Sequence, residues 1–327
     1  MILTRSKIAQ GIFNIIILFF ILGIIAEAYF RFFYAATDDI GITLSGRRWK
    51  EKYCKYNSQG FRDEREFTGL KPGGVLRIGI LGDSYVFGQG IKADARLSNL
   101  LEKLFTSNLG VNCQVYNFGK CGWNTLDERN YFFNKGLTYS LDALVLCSLE
   151  LDDFLETLGI DTDEICYTYK AHIPNKSVVF LLNNSYAFSF FYAQYYKMHC
   201  MFSMLKGGFS EKVNALISKE ENWDKYFGYI KEIEAECKKR GVAFYVVSFP
   251  VIGWGSDKGS RLIIERFEGF LKSYLDMHKI KYILLNDYLR KYNYKDLIVS
   301  IFDFHPNALV NRIAAEQLFN LMQHLKQ

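Results

Sequence analysis

Five short, mostly apolar runs separated by helical patterns constrain this chain more than any other feature. They are Val75–Leu81 (VLRIGIL), Cys113–Gly119 (CQVYNFG), Leu141–Leu149 (LDALVLCSL), Val242–Phe249 (VAFYVVSF) and Lys281–Asp287 (KYILLND). Each is strand-length and rich in β-branched or aromatic residues. Between the first two, Leu97, Leu100, Leu101 and Leu104 share one helical face. Further helices are expected after Thr125 and at roughly 222–240, 258–278 and 307–325. Strands alternating with helices imply an α/β fold: a mostly parallel five-stranded sheet covered on both faces, a three-layer α/β/α sandwich.

A different constraint operates at the front. Residues Ile8–Ala26 carry no charge, and in a helix they rise about 28 Å, close to the hydrocarbon thickness of a bilayer. EAYFRFFYAA follows, an aromatic cluster of the kind that settles at a membrane interface. A cleaved signal peptide ending at Ala26-Glu27-Ala28 is the competing reading; the length of the run and the aromatic belt favour a retained single-pass anchor. Arg5 and Lys7 face Arg47, Arg48, Lys50 and Lys52 across the span, so charge alone leaves orientation open. The expected organisation is an anchor over 1–34, a polar connecting segment over 35–74, and a globular domain over 75–327. Residues 151–221 break the strand–helix rhythm and read as an inserted helical element, with Asn183, Asn184, Gln194, Lys197 and His199 arguing against a second span.

Composition removes several function classes. The net charge is +5 with Lys and Arg scattered, so no nucleic-acid partner is expected. Seven cysteines show no Cys-x-x-Cys pair and no zinc-type cluster with histidine; no metal and no cofactor are expected, and Cys113 with Cys121 is the one disulfide left open. GDSYVFGQG lacks the lysine and spacing of a phosphate loop.

The first apolar run ends on Gly82-Asp83-Ser84. Ligands of parallel sheets bind beyond the carboxyl ends of the strands, where a serine opening the next helix projects its hydroxyl. Backbone N–H groups there can hold an oxyanion. A serine needs a base to become a nucleophile; without one, Asp83-Ser84 merely caps a helix. SIFDFHPNALVNRIAAEQLFNLM supplies a base: His305 lies in a loop before a helix, and Asp303 is placed to orient its imidazole.

These features together resemble the SGNH, or GDSL-type, hydrolases. YNSQGFRDERE (Tyr56–Glu66), LGDSYVFGQGI (Leu81–Ile91), NFGKCGWNT (Asn117–Thr125) and DFHPNA (Asp303–Ala308) look like membrane-anchored bacterial members, from about residue 55 to the end, thinly across 155–240. The resemblance implies a flavodoxin-like three-layer fold, Ser84 as nucleophile, His305 as general base and Asp303 as its orienting acid. It implies an oxyanion hole from the Ser84 N–H and a glycine N–H, Gly122 as the better match and Gly119 second. Two departures stand out. Leu151 or Glu150 occupies the place of the family's asparagine donor, with Asp152 after it. Phe302, not an acid, stands three residues before His305, and Asp152 or Asp153 is a possible substitute orienter. The implied function is a membrane-anchored, extracytoplasmic serine esterase or O-acyltransferase. Its substrate would be an acylated, chiefly acetylated, cell-surface carbohydrate or another small ester. The alternative is a catalytically degenerate member serving as a carbohydrate-binding or assembly factor.

Overall fold

The computed structural model describes residues 5–160, 175–206, 209–252 and 258–326. Five parallel strands form the central sheet: β1 (Leu76–Gly82), β2 (Cys113–Gly119), β3 (Ala143–Leu149), β4 (Ala243–Phe249) and β5 (Lys281–Leu284). Their spatial order is β2-β1-β3-β4-β5. The chain thus leaves β1 towards β2 on one side, then crosses back to lay β3 on the other, which makes a topological switch point beside β1.

Every residue of β1 and β3 is buried, which explains why these runs read as continuous apolar stretches. Alternate residues serve two cores. Ala143, Val145 and Cys147 join Leu101, Phe105, Val310, Ala314 and Leu318 on one face. Those come from α4 (Leu97–Leu109) and α13 (Ala308–Met322). Leu144 and Leu146 join Phe132, Tyr226, Ile230, Phe267 and Leu271 on the other. These belong to α5 (Thr125–Asn134), α10 (Glu220–Arg240) and α11 (Lys258–Met277). The three-layer sandwich expected from the sequence is the observed architecture.

At the front, α1 (Arg5–Phe32) is the one helix among the described residues that is long and apolar enough to cross a membrane, over Lys7–Phe32. The inserted stretch contains α6 (Glu150–Thr157), α7 (Lys176–Asn184), α8 (Tyr186–Lys206) and α9 (Phe209–Ile217). Residues 161–174 lie outside the described residues. The fifth strand is shorter than expected: after Leu284 the chain turns into α12 (Asn286–Leu289). Cys113 and Cys121 are both free thiols.

The segment before β1 packs as part of the globular unit. It carries α2 (Leu44–Tyr53), whose Trp49 is buried against Phe87 of α3 (Ser84–Phe87). Arg62, almost fully buried, donates to the carbonyls of Phe87 (3.2 Å), Gly88 (2.5 Å), Ile91 (2.8 Å) and Tyr53 (3.2 Å). The planar guanidinium matches several acceptors at once, so one side chain ties the connecting segment to the turn after α3. Arg62→Met would leave these carbonyls without their donor. We expect a loss of about 3 kcal/mol, read as a lowered urea midpoint of the detergent-solubilised chain, with Arg62→Lys recovering only part.

Candidate active site

Ser84 is the first residue of α3, directly beyond the carboxyl end of β1. The turn is built by exclusion of side chains. A Cβ on Gly82 would stand 2.3 Å from Val86 Cγ2, and one on Gly119 would stand 2.2 Å from the Phe87 backbone nitrogen. Gly82 therefore serves by leaving space for α3 to fold back closely. The cap of α3 is Asp83, whose carboxylate accepts the Tyr85 N–H at 2.8 Å. Capping and chemistry thus fall on adjacent residues, and the Ser84 hydroxyl is left for another partner. Burial pushes the Asp83 carboxyl up to about 6.

That partner is His305, 221 residues later. Its Nε2 lies 2.8 Å from Ser84 Oγ and its Nδ1 lies 2.6 Å from Asp303 Oδ1. A proton on Nδ1 directed at the carboxylate leaves Nε2 to accept from the serine hydroxyl. Asp303 and His305 do not sit in an irregular loop, as the sequence suggested. They lie on β7 (Asp303–Pro306), paired antiparallel with β6 (Ile298–Ser300). Residues two apart on a strand point to the same face, so the two-residue spacing is the one a strand requires. Asp303 Oδ1 also accepts the His305 N–H at 3.1 Å, fixing the pair locally. Asn307 caps α13 through the N–H groups of Leu309 and Val310, while its amide donates to the carbonyls of Asp296 and Ile298. Asn311 Oδ1 accepts the Leu97 N–H, joining this terminal unit to α4.

Electrostatics follow from the burial. Burial alone would raise Asp303, but the facing His305 and its hydrogen bonds hold the carboxyl well below the usual carboxylate range. Burial disfavours a charged His305, yet the Asp303 carboxylate outweighs it and raises the imidazole above its ordinary value, with Asp39 and Asp83 adding to the rise.

Asp39 has no counterpart among the residues singled out from the sequence. Its Oδ1 accepts the Phe304 N–H and lies 3.8 Å from His305 Nδ1. Its Oδ2 pairs with Lys197 of α8 at 2.9 Å, and Lys197 also donates to the Phe302 carbonyl at 2.5 Å. Burial raises Asp39 further than Lys197 lowers it. Nothing local in the sequence marks Asp39 or Lys197 as partners of the histidine, since each lies far from it along the chain. Asp39, Asp303 and His305 are also the one group among the described residues that brings three metal-ligand atoms within 4.8 Å of one another. Here Nδ1 is committed to Asp303, and Asp39 to Lys197 and the Phe304 N–H, so the set reads as a positioned ion network.

The glycine candidates separate. The Gly119 N–H is taken by Asn117 Oδ1 at 2.9 Å, and the Asn117 amide donates to the Val86 carbonyl at 2.8 Å. Gly119 is a packing position at the end of β2. Gly122 has φ +77° and nothing within 4 Å of where a Cβ would stand. Its turn is held at the end of β1 by the Lys120 N–H bonding the Gly82 carbonyl at 3.0 Å. In the third motif, Leu151 is buried in the core with Phe154 and Leu155. The role of substitute orienter falls to neither Asp152 nor Asp153, because Nδ1 is bonded to Asp303; Asp153 instead accepts the Leu149 N–H at 2.8 Å.

No family model matches the chain, and no curated protein matches it. Solved structures do. A protein of Desulfitobacterium hafniense DCB-2 assigned to the lipolytic G-D-S-L family matches at 12% identity and TM-score 0.44, over 75% of this chain and 98% of that one. The lipase Lip_vut3 from a goat rumen metagenome matches at 16% identity and TM-score 0.46, over 75% and 97%. Axe2, an acetylxylan esterase from Geobacillus stearothermophilus, matches at 11% identity and TM-score 0.46, over 76% and 94%.

The ion network can be checked directly. In a nitrogen-detected NMR titration, His305 should hold its proton to higher pH than an ordinary imidazole of about 6.5. In Asp303→Asn the raising charge is gone and burial dominates, so the midpoint should fall below that value. A wild-type midpoint below it would contradict the arrangement.

Proposed function

We propose that the chain is a membrane-anchored serine enzyme acting on acyl esters through Ser84, His305 and Asp303. The observation that carries this reading is the unbroken hydrogen-bond line from Ser84 Oγ to Nε2 and from Nδ1 to the Asp303 carboxylate. In the proposed reaction Ser84 Oγ attacks the ester carbonyl carbon while its proton passes to Nε2. The imidazolium so formed is stabilised by Asp303, which stays ionised because its affinity for a proton is low. Collapse of the tetrahedral intermediate breaks the bond to the alcohol oxygen, which takes the proton from Nε2. The acyl group then passes from Ser84 to water or to an acceptor hydroxyl. The N–H groups of Ser84 and Gly122 are the proposed oxyanion donors, without a third donor at Leu151.

The anchor reading draws support from Glu27. Its carboxylate accepts from the Tyr186 and Ala187 N–H groups at the start of α8 and from the Ser185 hydroxyl. Cleavage at Ala28 would remove a group the folded domain uses. The proposed orientation of the retained α1 has the domain on the extracytoplasmic side, and esters of surface carbohydrate, acetyl esters above all, are the proposed substrates. One observation favours a second reading, a binding or assembly factor: the buried Leu151 leaves the oxyanion site a donor short, which costs on the order of 10²–10³ in rate.

The two readings part under a fluorophosphonate probe. The enzyme should label at Ser84, with labelling lost in Ser84→Ala. Hydrolysis of a 4-nitrophenyl acetate should fall on the order of 10⁴-fold in Asp303→Asn. The pH profile of kcat/KM should rise through an inflection above that of an ordinary histidine, because His305 works only as the neutral base. Absence of labelling in folded protein would favour the binding role.

A further inference from the structure

Helix α8 is apolar on two opposite faces. Phe190, Ala193 and Cys200 are buried on its inner side, where Lys197 reaches Asp39. Phe191, Tyr195, Met198 and Phe202 follow the spacing of one helical stripe on the outer side, each more than half exposed. Helix α7 adds Val179, Phe180 and Leu181, with Phe180 63% exposed. An outer face of this kind on a surface helix is an interaction surface, because water gives it no stabilising contact.

We propose that the α7–α8 hairpin lies in the headgroup layer of the leaflet from which α1 emerges, with its outer stripe against lipid. Two observations identify lipid as the occupant. The first is continuity with α1. The Phe30 ring stacks on Phe190 at 4.2 Å and meets Phe191 edge-on at 5.6 Å, so the stripe begins where the apolar helix ends. Glu27 caps the start of α8, and Arg31 donates to the Asn184 carbonyl at the end of α7. These bonds hold the elbow of the hairpin against the last two turns of α1, at the level of the exposed aromatics Tyr29, Phe32 and Phe33. The second is charge. Arg31 and Arg48 lie over the Tyr186 ring, at 4.8 and 5.1 Å, and Arg47 donates to Asn183 at 3.0 Å. Arg31 is paired with Glu27 at 2.7 Å, which leaves Arg47 and Arg48 as the cations at the elbow. An apolar stripe with cations at its α1 end suits the boundary between acyl chains and anionic headgroups.

This inference rests on α1 being a retained span, and the experiment separates the two. The full chain is reconstituted in vesicles of phosphatidylethanolamine and radiolabelled phosphatidylglycerol, with p-benzoylphenylalanine in place of one residue at a time. The positions are Phe180, Phe191 and Phe202 on the hairpin, Phe19 within α1, and Leu70, an 85% exposed residue of the segment before β1, as control. On illumination, lipid adducts at the three hairpin positions should exceed the Leu70 yield several-fold. Adducts at Phe19 with only control yield on the hairpin would overturn the docking while leaving the anchor intact. Adducts of Phe191 with a second copy or another protein would overturn it likewise. Control yield everywhere, Phe19 included, would remove the anchor as well.

Discussion

The position of β1 governs everything around the site. It is buried along its whole length between β2 and β3, and the connections that leave β1 and β3 part to opposite faces of the sheet, through α4 on one and α10 on the other. A crevice opens at the end of such a strand with no loop to fill it. Ser84 opens the helix that begins just past that end, behind the capping Asp83. The surrounding residues hold the crevice in shape: Gly82 and Gly119 let α3 fold closely, Asp83 caps it, and Arg62 gathers the carbonyls that follow it. Few of these contacts could be altered without moving the hydroxyl.

What was legible in the sequence follows from this arrangement. Strands buried on both faces announce themselves as apolar runs, and the order of strands and helices then dictates the sheet. Ser84 and His305 were legible because each stands next to an element boundary. β7 was not: it is four residues long and contains an acid, a histidine and a proline, so no apolar alternation betrays it. Its strand geometry resolves the puzzle of Asp303, whose spacing looked one residue short. The roles of Asp39, Lys197 and Arg62 were not legible for another reason. Each acts through contacts between distant parts of the chain, which no local pattern of residues announces. The segment over 35–74 looked like a connection because many of its buried groups are polar: Thr37, Asp38, Arg62 and Asp63 are almost fully enclosed, beside scattered buried aromatics such as Trp49 and Phe61.

The charge environment of the site has a consistent logic. Burial raises the Asp83, Glu128 and Asp153 carboxyls, the last two well above the usual carboxylate range. Groups of this kind hold their protons more readily and present less negative charge to the crevice. Asp303 is pushed the other way, by the histidine it faces. Full negative charge is thereby concentrated behind the imidazole, where it favours proton uptake, and reduced beside the hydroxyl, where it would oppose a developing oxyanion.

The separation of Ser84 from His305 along the chain also has a temporal meaning. A ribosome adding about 5–20 residues per second delivers the histidine on the order of ten to forty seconds after the serine. Throughout that interval the hydroxyl is without the imidazole that it bonds in the folded chain. Whatever the nascent polypeptide meets on its way out of the translating machinery, it meets before the Ser84–His305 contact exists.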